Sequence, residues 1–470
     1  MKRIWIFLCF FSSYCSSAAL PLVIDRHFSP YASSQDFFAI ENQLIRIDNH
    51  YAGNLFDKKV SKEIETRNFA ALLRPTLTNR ILGRTFRFTE LSLLWNPLNQ
   101  LMITVQHEVF GHGYRLRDLG SRVADNLQYR INLPYPYGTG GGYTSYYVRP
   151  EMSIQDDILI SLAGTEASAL LAHQLSLSWL SKNEIDGREA PLHLFGTLDL
   201  YNYILSLKDS KSTFTIYSKN EGHDIANYMM RLNSIYPSKK SFKDQLEQLQ
   251  LKASYSILAN VFSYLALFAE YKYIWSGVST PITKREGNIR FMMPIYRLGL
   301  TPFGSEDIAG LYLLLKSGEP SYFYYKEGHF SKNTYRGIGF ENSGILRFNS
   351  SQIGFKFDLW SQPTFLFDTP KSHEIPCCLK VTEDFWWLTK ETLSNSKYDI
   401  EFDHSRNAYT EEELFNSHIG AAASLIYQYS FKGKFSNIAY TQLGYKTKGY
   451  LPGESIHAGL ILRFGMNLLF

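Results

Sequence analysis

The chain has 470 residues, and its 48 Lys+Arg against 44 Asp+Glu leave a net charge of only +4. With no block of one sign, a nucleic-acid binder working through a broad basic face is excluded. A hydrophobic fraction of 45% with 20% charge excludes general disorder, and the length calls for two domains. The 33 Phe, 32 Tyr and 7 Trp, 15% of the chain, favour β-structure and surfaces at a membrane interface.

The first elements are an export signal and a long helix. Lys2 and Arg3, the apolar run Ile4 to Phe11 and the small residues Ser16-Ser17-Ala18-Ala19 have the pattern of a cleaved signal peptide over 1–18. The apolar run is too short to span a bilayer as a helix. Of the four cysteines, only Cys377 and Cys378 follow it, and adjacent residues make no disulfide framework. Asn96-Pro97 predicts a helix start, and Gly120 a stop, for a helix running to Leu119. Residues 131–148 read as loop and strand, with Gly140-Gly141-Gly142 ahead of Tyr143 to Val148. Ser153 caps a second helix over about 153–181, and a third covers about 223–234. The apolar stretch from Tyr255 to Ala269 is expected to be a buried helix of a soluble domain.

The middle of the first helix reads Gln106-His107-Glu108-Val109-Phe110-Gly111-His112-Gly113. Two imidazoles with a carboxylate between them are how a helix builds a zinc site: the histidines ligate, and the Glu takes a proton from water. In a regular α-helix, residues five apart point about 140° from each other and cannot share an ion. A one-residue π-bulge restores convergence, and Gly111 makes that distortion cheap.

His107, Glu108, Gly111 and His112 are similar, position by position, to the His-Glu-x-x-Gly-His zinc motif of the dipeptidyl peptidase III family. The resemblance covers the motif alone. It implies a zinc ion, Zn²⁺, with a Glu on a later helix as third ligand. Glu166, in the small-residue run Ala163-Gly164-Thr165-Glu166-Ala167-Ser168, is the candidate, ahead of Asp156 and Asp157 at the first turn of the same helix. Glu108 is then the general base. His223, beside Asp224, is the first candidate for a second catalytic donor, with Tyr201 and Tyr203 as alternatives. The segment from Gly140 to Ser145 offers a strand edge for an extended peptide. Arg115 and Arg117 read as a solvated face and helix-end charges.

After about residue 285 the period becomes two. Ile419, Ala421, Ala423, Leu425, Tyr427, Tyr429 and Phe431 form one apolar face, and Leu460, Leu462, Phe464, Met466, Leu468 and Phe470 another. Strands are expected near 288–300, 308–316, 320–326, 334–341, 344–348, 352–360, 417–431, 435–446 and 457–470, with a long loop at about 361–416. The final stretch resembles the C-terminal signal of bacterial outer membrane β-barrel proteins, an alternating strand ending in Phe. These features predict an α+β chain: a mainly helical, zincin-like domain over 19–285, then an antiparallel β-barrel of outer membrane type over 286–470.

The function expected is zinc-dependent peptide hydrolysis by an exported protein of the bacterial outer membrane. Its partners would be a peptide or protein substrate and the lipid bilayer of the outer membrane. A periplasmic or secreted soluble peptidase is the alternative location. The competing class is a non-enzymatic channel or surface structural protein whose metal site is incidental or structural.

Overall fold

The structure is a computed structural model that describes residues 22–467 apart from 26, 52–76, 150, 208–222, 237, 284–286, 316–318, 366–415 and 432–436. The signal segment, Cys377, Cys378 and nearly all of the expected long loop lie outside the described residues.

Strand β1 (Leu22–Asp25) leads into helix α1 (Pro30–Tyr51). The expected first helix starts much earlier than Asn96: α2 (Leu77–Glu90) runs through a π turn at Leu91–Trp95 into α3 (Asn96–His107), without a side-chain cap at the junction. Pro97 is therefore an interior proline, and the wide turn before it gives its ring room beside the preceding carbonyls. A second π turn covers Glu108–His112, and α4 (Gly113–Leu119) ends at Gly120, whose φ of 77° favours glycine. Strands β2 (Ala124–Ile131) and β3 (Gly142–Val148) form a hairpin. Helix α5 (Ile154–Lys182) begins with a capping box between Ser153 and Asp156. Next come β4 (Glu184–Ile185), α6 (Ala190–Ser206), α7 (Asp224–Ile235), α8 (Phe242–Leu258), α9 (Val261–Ser276) and β5 (Thr280–Pro281), which pairs with β4.

The remaining strands are β6 (Ile289–Thr301), β7 (Gly304–Leu315), β8 (Ser321–Phe330), β9 (Asn333–Phe348), β10 (Ser351–Pro363), β11 (Ser417–Phe431), β12 (Asn437–Lys446) and β13 (Gly459–Asn467). They form an antiparallel meander from β6 to β13, and β1 pairs with β13 to make a nine-stranded sheet. The expected α+β class is observed. The expected barrel closure is not: among the described residues β6 and β1 are the two edges and do not pair, so the sheet stays open. Two expected strands, 334–341 and 344–348, are one, β9, with a register irregularity opposite Ile353 and Phe355.

This sheet carries apolar residues on its outward face and a mixture of charged and apolar residues on its inward face. The apolar face of β11 is the exposed one: Ile419 is 77% and Leu425 55% accessible, while Ala422, Ser424 and Ile426 are buried. On β13, Leu460, Leu462, Phe464 and Met466 are exposed, while Arg463 is 2% accessible. The inner face carries Glu306, Lys326, Glu341, Asp358, Gln442 and Arg463, all buried. These meet helices and one another: Tyr31 of α1 donates to Glu341, Gln174 of α5 donates to Glu341 (3.3 Å), and Arg463 reaches Glu454 (2.8 Å) and Asp25. Helix α5 is buried along most of its length between α1, α3, α6, α7 and the sheet. Leu116, Ile158, Tyr228, Leu298, Phe303 and Tyr450 belong to one apolar core, so helices and strands share it.

Candidate metal centre

His107 ends α3, and His112 sits five residues on, across the π turn. The extra residue in that turn brings the rings to one side, with their Nε2 atoms 3.1 Å apart. Asp224, at the first position of α7, places Oδ2 3.2 Å from both Nε2 atoms. These three ligand atoms lie within 4.8 Å of one another.

The outer nitrogens fix which atoms face that point. His107 Nδ1 donates to Asp199 Oδ2 (2.8 Å) on α6, and His112 Nδ1 donates to the Ile160 carbonyl (2.7 Å) on α5. Both partners are acceptors, so each ring turns the Nε2 lone pair inward, as a metal-ligating imidazole does. Two imidazole nitrogens and a carboxylate oxygen this close call for positive charge among them, a proton or a metal ion. The donor set thus fits a divalent cation that takes imidazole and carboxylate. Without an ion the carboxylates draw that charge as protons on the imidazoles, which a metal would displace. Burial pulls the two imidazoles down, but Asp199 and Asp224 outweigh it for His107 and Asp224 does so for His112, leaving both above the ordinary histidine range. Burial disfavours the Asp224 carboxylate, yet the two histidines hold it well below the usual carboxylate range.

Helix packing makes the site possible. A Cβ on Gly164 of α5 would stand 2.2 Å from His107 Nε2, and one on Gly111 would stand 2.7 Å from the Ala163 carbonyl oxygen. The small-residue run around Gly164 therefore lets α5 pass directly against the Nε2 edge of His107. No family model, curated protein or solved structure matches this chain. The site must be read from its own geometry.

Glu108 is buried beside the cluster, and Thr144 of β3 donates to its Oε2 (2.8 Å) and its backbone oxygen (3.0 Å). Tyr203 of α6 stacks on His107, with ring centroids 5.2 Å apart and planes 7° from parallel. Its hydroxyl lies 3.2 Å from His107 Nε2, and burial raises the phenol above its ordinary range.

Other expected positions are used differently. Glu166 is held by Arg115, the Tyr450 hydroxyl and the Gly453 amide, so both of its oxygens are engaged away from the histidine pair. The carboxylate brought to the imidazoles is Asp224. Arg115 is fully buried between Asp118 and Glu166 rather than solvated, tying α4 to α5 and to the loop before β13. His223 caps α7 by accepting from the Ala226 amide (3.4 Å), and its Nε2 meets Ser206 (2.5 Å). Asp156 closes the α5 capping box and Asp157 pairs with Arg231. Tyr201 lies along a different, small cavity lined by His173, His193 and Tyr312.

Sequence reasoning missed Asp224 and Asp199. Asp224 was in view only as a partner for His223. Asp199 carried a weaker signal: a lone carboxylate in the otherwise uncharged, largely apolar segment from Ala190 to Ser206.

Proposed function

We propose that the protein is a zinc-dependent peptide hydrolase of the bacterial outer membrane. The observation that carries the reading is the convergence of His107, His112 and Asp224 on one point beside a buried, oriented Glu108. A zinc ion held by those three residues supplies Lewis acidity for a carbonyl and lowers the pKa of water.

The protein's own groups divide the remaining work. Glu108, kept in place by Thr144, takes the proton of the attacking water and passes it to the leaving amine. Tyr203 stays protonated in its buried setting and donates to the carbonyl oxygen as negative charge develops there. Asp199 holds the His107 tautomer. Thr144 lies on β3, whose second edge is unpaired among the described residues. An extended peptide added along that edge passes next to Glu108.

The sheet supports the membrane location. Its outer face is apolar from strand to strand, its inner face mixes charged and apolar residues, and its eight long strands have 9 to 16 residues, enough to cross a bilayer when tilted. A protein partner would cover one sector of such a surface, whereas a bilayer covers all of it.

Metal content of the purified chain tests the site. About one zinc per chain is expected, lost in His107→Ala and in Asp224→Asn, and retained in Glu108→Gln while peptide hydrolysis disappears. Iron on the same three ligands would replace the hydrolytic reading with oxygen chemistry, for which two histidines and a carboxylate also serve. Tyr203→Phe is expected to keep the metal and lower kcat by about 10²-fold with KM little changed. For the location, the protein should stay with membranes washed in alkaline carbonate. Release into the wash would refute it.

A further inference from the structure

The open side of the sheet is filled by helices, and α9, the second half of α8 and part of α2 turn apolar residues outward, as the strands do. We propose that α8, α9 and α2 close the seam between β6 and β1 within the bilayer, so that the lipid-facing belt is part strand and part helix. This rests on the membrane reading of the sheet and goes beyond it.

The contacts run without a break from one sheet edge to the other. Helix α8 packs along β6, and the Leu298 amide of that edge strand donates to Ser256 Oγ of α8 (3.2 Å). Helix α9 follows α8 at a 54° bend and packs against α2. Tyr273 of α9, Leu91 and Trp95 after α2, and Ile45 of α1 form one buried cluster. Helix α1 then lies on β1, where the Val23 amide donates to Asp36 Oδ1 (2.9 Å). Hydrocarbon offers no partner to an unpaired strand edge, so a sheet left open in a bilayer needs this cover.

The outward residues identify what the helices face. On α9 the exposed positions Tyr264, Leu267, Phe268, Tyr271 and Trp275 form a single helical stripe, while Phe262, Ala266 and Ala269 turn to the core. Along α8 the exposed positions change from Lys243, Asp244 and Glu247 to Leu251, Tyr255 and Leu258. That change within one helix marks a passage from water into hydrocarbon. At the far end of α9, Arg87 donates to the Ile274 and Trp275 carbonyls, and Arg84 lies 3.3 Å over the Trp275 ring. Arg and Trp together are what an interfacial helix end carries. Phe262, Ala266 and Ala269 of α9 share a cluster with Tyr312 of β7 and Phe291 of β6, so the stripe is the outward side of a helix packed beside a sheet edge. The exposed Ile289 and Met292 of that edge are apolar too, and lipid acyl chains are the occupant that suits both.

The test uses the full chain with its native cysteines replaced by serine and single spin labels at Leu267, Phe268 and Leu258. Labels at Leu425 and Leu443 serve for the sheet, and one at Lys243 for water. Each protein is reconstituted in phospholipid vesicles, and label relaxation by oxygen is compared with that by a water-soluble nickel chelate. The oxygen-to-nickel ratio is expected to be several-fold higher at the helix and sheet labels than at Lys243. Sheet labels that favour oxygen beside helix labels that favour nickel would overturn the seam proposal and leave the membrane reading standing. Nickel preference at both would overturn both. Helix labels shielded from both reagents would mean that a protein partner, including a second copy, covers the stripe, and the proposal fails. Two adjacent positions on α9 guard against a label that disturbs folding, which a lowered urea midpoint relative to the unlabelled protein reveals.

Discussion

Asp199 lies outside the cluster of His107, His112 and Asp224, yet by accepting from His107 Nδ1 it decides which nitrogen of that ring faces the other two. Asp199→Asn is expected to weaken zinc binding by about 10- to 100-fold without abolishing it, as read by competition with a chelator of known affinity. A different histidine contributes to acid sensitivity. His193 of α6 is buried against Ser176, and burial alone pushes its imidazole down to about 3. Its folded value lies below the unfolded one of about 6.5, so its contribution is complete above that pH and is lost as pH falls toward 3. Over that window stability should drop by roughly 1.4 kcal/mol per pH unit from this residue. Urea midpoints measured from pH 7 to 4 should show a shallower fall in His193→Gln. Among single residues, His107 and His112 were legible as a pair suited to metal because they lie in one short motif. Asp224 and Asp199 were not, because they come from helices separated in sequence from that motif, and only folding brings their carboxylates to it.

Two π turns set the course of the helical region, and one of them makes the site. In the turn over Glu108–His112 the added residue cancels the divergence that a spacing of five imposes on a regular helix. That distortion could be anticipated, since without it the two imidazoles cannot share a ligand. The first π turn, ahead of Pro97, was masked by the strong start signal of Asn96-Pro97, and a local rule lost to the continuity of a longer helix. Close passage of α5 depends on Gly164. Gly164→Ala is expected to fold with α5 displaced and to lose most bound zinc, because the added methyl would meet His107 Nε2. Retention of wild-type zinc content would show that α5 can shift at no cost to the site.

At the scale of the whole molecule the sheet turns aromatic and aliphatic residues outward, while its inner face mixes buried charge with core residues such as Leu298, Tyr312 and Ile426. Leu425→Lys on the outer face of β11 is expected to destabilise the protein in vesicles by about 2–4 kcal/mol, measured by urea unfolding, if the residue sits near the bilayer midplane. An effect near zero would place that position in water. Alternation of period two, together with the short helical motif, was enough to establish an α+β chain with an antiparallel sheet and a histidine pair suited to metal, because period and spacing are local properties. Which face of each strand lies outward, that β1 joins β13 while β6 stays unpaired, and that Asp224 completes the donor set were decided only by tertiary structure. Each depends on groups far apart in the chain meeting in space: an alternating strand reads the same whether its apolar face is turned to a core or to the surroundings, and a carboxylate becomes a ligand only when another element carries it to the ion.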